Sequence, residues 1–189
     1  MTRIAVAGAA GKMGRTLIQT ITNTEGLEVT AALEHQGMSV IGADAGEVAG
    51  VGKLNIPISG QLESVCEDFD ILIDFTVAAA TVENMEVCAA SGRKMIIGTT
   101  GLNEKDKARL KDLASTIAVV YATNFSVGVN ATFRLLEVAT QIFGDTVDIE
   151  IIESHHRHKV DAPSGTALTM GEVIADSLGR DLSEVAVYG

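Results

Sequence analysis

A short apolar run at residues 3–7 (RIAVA) ends in Gly8-Ala9-Ala10-Gly11-Lys12-Met13-Gly14, and no other stretch limits the possible folds of this chain as much. Its glycines are spaced GxxGxxG, directly after a predicted strand and at the start of a predicted helix over residues 12–23. In that setting each glycine has a steric task. Gly8 lets the chain turn off the strand, Gly11 lets backbone approach a pyrophosphate, and Gly14 lets the helix lie close to the sheet. The helix start then offers unpaired N–H groups and the positive end of its dipole to phosphate. Glu34 ends the next predicted strand (residues 27–33, LEVTAAL), 20 residues beyond Gly14, where a carboxylate can accept hydrogen bonds from a ribose. The bland alternative is a tight strand–helix turn plus a surface glutamate. The spacing and context favour a dinucleotide.

Further strands are predicted at 71–75 (ILIDF), 95–98 (MIIG) and 117–122 (IAVVYA), with helices at 82–91 and 104–115, the latter entered through Asn103 as N-cap. On the first helix the predicted buried face is Met13, Leu17, Ile18 and Ile21. Strand and helix alternating in this way imply parallel β-α-β units, hence an α/β fold with a Rossmann-type doubly wound parallel sheet. Residues 37–57 break the rhythm with Gly37, Gly42, Gly46, Gly50 and Gly52, and are expected to form a long loop. In open sheets of this class, ligands lie beyond the carboxyl ends of the strands. Asp74-Phe75-Thr76 and Gly98-Thr99-Thr100-Gly101 occupy two such ends and could line the nicotinamide side of a cleft, with an ordinary turn the lesser alternative for the second.

The pattern changes after Asn124. Val129, Phe133, Leu136 and Ile142 follow helical spacing, residues 148–153 (DIEIIE) alternate as a half-exposed strand would, and Ser164 is placed to cap a helix running to Leu178 and closed by Gly179. The expected division is a dinucleotide-binding domain over residues 1–126 and an incomplete α+β substrate and oligomerisation domain over 127–189. One half-exposed strand cannot satisfy its own edges, so the second domain reads as truncated, or as completed by another chain.

Between that strand and helix, His155, His156 and His158, three of the four histidines of the chain, sit beside Arg157 and Lys159. A zinc site is the sharp competitor here. Adjacent residues on an extended segment point oppositely, so His155 and His156 converge poorly, and no metal-binding spacing is present; no metal is expected. An anion pocket with proton-transfer groups fits better. Histidine can move a proton near neutral pH, Lys159 adds a point charge and a second acid, and Ser164-Gly165-Thr166 opens a helix whose N–H groups can hold a carboxylate.

Composition excludes several classes. Lys+Arg 14 against Asp+Glu 25 gives a net charge of −11, which argues against a nucleic-acid surface. No apolar run reaches the roughly 18 residues of a membrane span, and no signal peptide is read at the N-terminus. Cys66 and Cys88 lack metal or redox spacing and read as reduced thiols of a cytoplasmic protein.

The stretch ESHHRHKVDAPSGTA (residues 153–167), with GAAGKMG, GTTG and ATNFSVGVN (residues 122–130) in the same order and spacing, resembles the 4-hydroxy-tetrahydrodipicolinate reductase family. The resemblance covers the whole chain. It implies that Gly8, Ala9, Ala10, Gly11, Lys12, Met13 and Glu34, with His35 beside it, bind NADH or NADPH. It implies that Gly98, Thr99, Thr100, Ala122, Thr123, Asn124 and Phe125 line the nicotinamide end. His155 is then a proton donor and acceptor and Lys159 a proton donor, while His156, Gly165 and Thr166 hold substrate carboxylates. The implied reaction is hydride transfer to a cyclic unsaturated dicarboxylate, giving tetrahydrodipicolinate for lysine and diaminopimelate biosynthesis. Family members are longer and form homotetramers. The shorter chain here makes that assembly doubtful and leaves a catalytically impaired NAD(P)H-binding module as the alternative. His35 stands where members that use NADPH well often carry arginine, so NADH is expected to serve at least as well as NADPH.

Overall fold

The computed structural model describes residues 1–157, 159 and 162–188, in two compact units, residues 1–122 and 123–189. In the first unit, β1 (Thr2–Ala7), β2 (Leu27–Leu33), β3 (Ile58–Ser59), β4 (Ile71–Asp74), β5 (Lys94–Ile97) and β6 (Val119–Tyr121) form one sheet in the order β3-β2-β1-β4-β5-β6. Every pairing is parallel. The chain works outward from β1 to β3, then returns past β1 to lay down β4, so the strand order reverses between β1 and β4. That reversal opens the crevice at which doubly wound sheets bind ligands.

Helices α1 (Lys12–Thr22), α2 (Ala45–Ala49), α3 (Ala78–Ala90) and α4 (Glu104–Leu113) complete the unit. The period of two along β1 divides its side chains between separate cores. Ile4 and Val6 pack with Ile18, Ile21, Val29 and Ile58, whereas Ala5 and Ala7 pack with Leu72, Phe69, Met85, Met95 and Ile97. A sheet covered on both faces needs apolar residues on both, which is why RIAVA and ILID read as nearly continuous apolar runs. On α1 the buried positions are Gly14, Ile18 and Ile21. Met13, expected on that face, is instead exposed, because it stands at the mouth of the glycine turn ahead of the part of the helix that packs on the sheet.

Residues 37–57 are more ordered than the glycines suggest. They contain α2, and β3 follows directly. The Asp44 carboxylate organises this segment by accepting from the backbone N–H groups of Gly46, Glu47, Leu54 and Ile56 at 2.9–3.1 Å. Those bonds, that from Leu54 foremost, hold its pKa below the usual carboxylate range. A helix of five residues and a strand of two lie below the length at which periodicity is visible.

The second unit consists of α5 (Val127–Phe143), a 3₁₀ turn, α6 (Gly165–Ser177) and α7 (Leu182–Val185). Val129, Phe133, Leu136 and Thr140 form the more buried face of α5, which packs against α6, whereas Ile142 is exposed. No strand is assigned among the described residues of this unit, so the strand expected at 148–153 is not formed. A strand exists through its pairing, and the described residues of this unit offer no second strand to pair with. Ile149, Ile151 and Ile152 are consequently exposed.

Candidate active site

The glycine turn is built as its steric logic requires. Gly8 has φ +69°, a left-handed conformation open to glycine, and the Gly11 N–H closes the turn on the Gly8 carbonyl at 2.9 Å. A Cβ on Gly14 would lie 2.0 Å from the Gly8 oxygen and 2.8 Å from the Ala9 Cα, both rigid backbone. The start of α1 has no side-chain cap and no acidic residue in its first turn, so its N–H groups and dipole remain available to an anion. Glu34 emerges from β2 beside this turn. Its Oε2 accepts from the Ala10 N–H at 3.0 Å and its Oε1 from the His35 N–H at 3.0 Å, which fixes the carboxylate at the edge of the crevice. The His35 residue is exposed. A tight turn, an uncapped helix start and a fixed carboxylate fit a dinucleotide.

At the neighbouring strand ends, the Gly98 N–H donates to the Asp74 carbonyl at 2.8 Å, and a Cβ on Gly98 would fall 2.0 Å from the Phe75 ring. Thr99 is buried and Thr100 exposed, so within this turn Thr100 and the backbone are what a ligand can reach. The Ala122 N–H donates to the Ile97 carbonyl at 3.2 Å at the end of the same unit. Thr123, Asn124 and Phe125 belong to the second unit. There the Asn124 side chain accepts from the Ser126 N–H at 2.8 Å, shaping the entry to α5.

The cationic segment leads into α6. Ser164 caps that helix, its hydroxyl accepting from the Ala167 N–H at 3.1 Å, and Gly165 and Thr166 form the first turn, which holds no acidic residue. His155 and His156 are exposed, Lys159 is partly buried, and the Lys159 N–H donates to the His156 carbonyl at 3.1 Å. His158 lies outside the described residues.

Sequence reasoning missed Glu153 as an organiser of this segment. One carboxylate oxygen accepts from the Ser164 N–H at 2.8 Å, and the other lies 2.7 Å from His155 Nε2. Glu153 thus ties His155 to the start of α6. The signal was available, since residues i and i+2 of an extended chain share a side. Its pKa is pushed down to about 2, first by the Ser164 hydrogen bonds and then by that to His155. A depressed carboxylate stabilises the fold fully above its ordinary pKa of 4.5, and that contribution is lost as pH falls from there toward about 2. The protection factor of the Ser164 amide, its exchange rate relative to an unstructured peptide at the same pH, should therefore fall on acidification through this window, and Glu153→Gln should remove the dependence.

A cavity of 1040 Å³ in the second unit is lined by residues such as Ile149, Ile151, Pro163, Leu168 and Ile174, and by none of His155, His156 and Lys159. Its lining also takes in Asp148, Glu150, Glu153 and Arg180, so it is of mixed polarity. Among the described residues, no helix is long and apolar enough to cross a membrane.

Comparison with known proteins agrees with this geometry. The family described as "Dihydrodipicolinate reductase, N-terminus" matches residues 2–125, and "Dihydrodipicolinate reductase, C-terminus" matches residues 128–187. The chain belongs to the dihydrodipicolinate reductase family. It is 56% identical over 187 residues to the 4-hydroxy-tetrahydrodipicolinate reductases of two Acinetobacter baumannii strains, covering 99% of this chain and 68% of each relative. The solved dipicolinate-bound dihydrodipicolinate reductase from Paenisporosarcina sp. TG-14 superposes with a TM-score of 0.75 at 29% identity, covering 94% of this chain and 66% of that one. The myo-inositol dehydrogenase from Lactobacillus casei (TM-score 0.53, 19% identity, 74% of this chain and 42% of that one) shares the fold. The dihydrodipicolinate reductases are NADH- or NADPH-dependent oxidoreductases of lysine and diaminopimelate biosynthesis.

Proposed function

We propose that this chain reduces 4-hydroxy-tetrahydrodipicolinate to tetrahydrodipicolinate with NADH or NADPH. The observation that carries the reading is a histidine–lysine segment tied by Glu153 to an acid-free helix start, in a chain whose other unit carries a dinucleotide turn closed by Glu34. In the net reaction the substrate takes up a hydride and a proton and loses water. The reduced nicotinamide supplies the hydride. Gly8, Ala9, Ala10, Gly11, Lys12 and Met13 receive the pyrophosphate, Glu34 the ribose, and the Gly98–Thr100 turn with Ala122, Thr123, Asn124 and Phe125 the nicotinamide end. His156, Gly165 and Thr166 hold the two carboxylates of the substrate, while His155 and Lys159 move the proton. The same reading places the reaction in the cytoplasm, in keeping with two buried cysteines that form no disulfide.

NADH is expected to bind at least as well as NADPH, because a 2′-phosphate on a ribose held by Glu34 would meet a like charge. Glu34→Gln should raise the NADPH-to-NADH affinity ratio by about tenfold, the scale of one relieved charge contact of about 1.4 kcal/mol. Paired fluorescence titrations read that ratio.

The decisive experiment is oxidation of NADH by the 189-residue chain with freshly generated substrate. Turnover supports the proposal. A second reading is favoured by the unpaired 148–153 segment and its exposed isoleucines: the chain binds NADH without turning over. Saturable NADH binding with no oxidation selects that reading, and no NADH binding rejects both.

A further inference from the structure

Asp74, the last residue of β4, lies at one of the strand ends expected to line the cleft, yet it is fully buried, so its carboxyl group meets protein rather than ligand. Its Oδ1 accepts from the Thr76 N–H at 2.9 Å, the Thr76 hydroxyl at 2.6 Å and the Thr99 hydroxyl at 3.3 Å. Its Oδ2 accepts from the Asn84 amide at 2.8 Å. The Thr81 hydroxyl, from the first turn of α3, donates in turn to the Thr99 hydroxyl at 2.8 Å. One carboxylate therefore ties together the end of β4, helix α3 and the turn that follows β5.

Such a network is an expensive way to fill a core. Burying a carboxylate costs several kcal/mol before its hydrogen bonds compensate, and an apolar side chain of similar size often serves stability as well. Its position supplies another reason for it. Thr76 approaches the glycine turn closely enough that a Cβ on Gly8 would lie 3.0 Å from its methyl group. Thr99 precedes the exposed Thr100 in the turn that ends β5. Each of these groups stands at the carboxyl end of a strand, on the ligand side of the sheet.

We propose that Asp74 is a positioning residue for the dinucleotide, holding the Thr99–Thr100 turn at the nicotinamide end through the Thr99 hydroxyl. The inference rests on the reading that this turn meets the nicotinamide. Precise placement matters because a shift of about 1 Å at a reacting group can cost about 10²-fold in rate.

The test compares NADH with ADP-ribose, which lacks the nicotinamide, as ligands of the full chain. Thr99→Val keeps shape and removes the hydroxyl. It should weaken NADH by up to about tenfold, the scale of one lost hydrogen bond, and leave ADP-ribose within about twofold. Thr99→Ser should restore NADH affinity. Asp74→Asn should also bind NADH nearly normally, because a flipped Asn84 amide can accept from the new NH₂ while the remaining oxygen still receives Thr76 and Thr99. Asp74→Ala should reproduce the Thr99→Val pattern. Equal weakening of both ligands, or unchanged NADH binding in Thr99→Val, overturns the positioning role while leaving the dinucleotide reading intact. If the wild-type chain binds ADP-ribose and NADH equally, the nicotinamide assignment of the turn falls with it. If it binds neither, the dinucleotide reading itself falls. Should Asp74→Ala fail to fold, the Thr99 pair decides alone.

Discussion

Gly14→Ala should yield a chain with no saturable NADH binding and a fold destabilised by about 1–3 kcal/mol or more, the range for forcing a methyl group into a packed site. The new Cβ would sit 2.0 Å from the Gly8 oxygen and 2.7 Å from the Gly8 carbonyl carbon. Neither neighbour is the end of a flexible side chain, so relief requires α1 to move off the turn. That displacement carries the N–H groups of α1 away from the pyrophosphate position and separates Ala10 from Glu34. Thermal unfolding and NADH titration measure the two effects. Wild-type binding by the Gly14→Ala chain would show that the turn does not hold the cofactor.

The second large effect is expected in the other unit. His155→Ala and Lys159→Ala should each lower the turnover number by about 10²–10⁴-fold, the usual contribution of a positioned proton-transfer group. NADH affinity should change by less than about twofold, because neither residue belongs to the unit that carries the glycine turn. Single-turnover oxidation of NADH together with equilibrium titration separates the two quantities. A Lys159→Ala chain with normal turnover would remove the lysine from the proton path. Glu153→Ala should act in the same direction with a smaller effect, because it frees His155 from the start of α6 without removing the imidazole.

The first unit was largely legible in the sequence because its determinants are local. A doubly covered parallel sheet needs apolar strands, and α1, α3 and α4 were signalled by spacing or, for α4, by the Asn103 cap, which the structure completes as a capping box with Asp106. Glu34 could be found by its distance from Gly14. The pieces that escaped were short or depended on distant partners. The two-residue β3 has no period to detect, and α2 depends on Asp44 reaching Leu54 and Ile56 across a loop. Met13 and Ile142 fit the helical periods by number, but they lie beyond the parts of α1 and α5 that are buried. The strand expected at 148–153 followed from alternation alone, and alternation shows which face could be buried, not whether a neighbouring strand exists. The Asp74 network was invisible for a related reason. Threonines at 76, 81 and 99 carry no pattern until the ends of β4 and β5 lie side by side.

If Glu34 holds the ribose as proposed, it has a consequence for any attempt to shift this chain toward NADPH. Its carboxylate is also the acceptor for the Ala10 N–H inside the glycine turn. Exchanging it for a cation, the direct electrostatic route, would discard that acceptor and leave a donor of the phosphate loop unmatched. On the proposed assignment, one side chain thus serves both the ribose and the order of the loop. A successful redesign would have to add its positive charge at the exposed His35 and leave Glu34 in place.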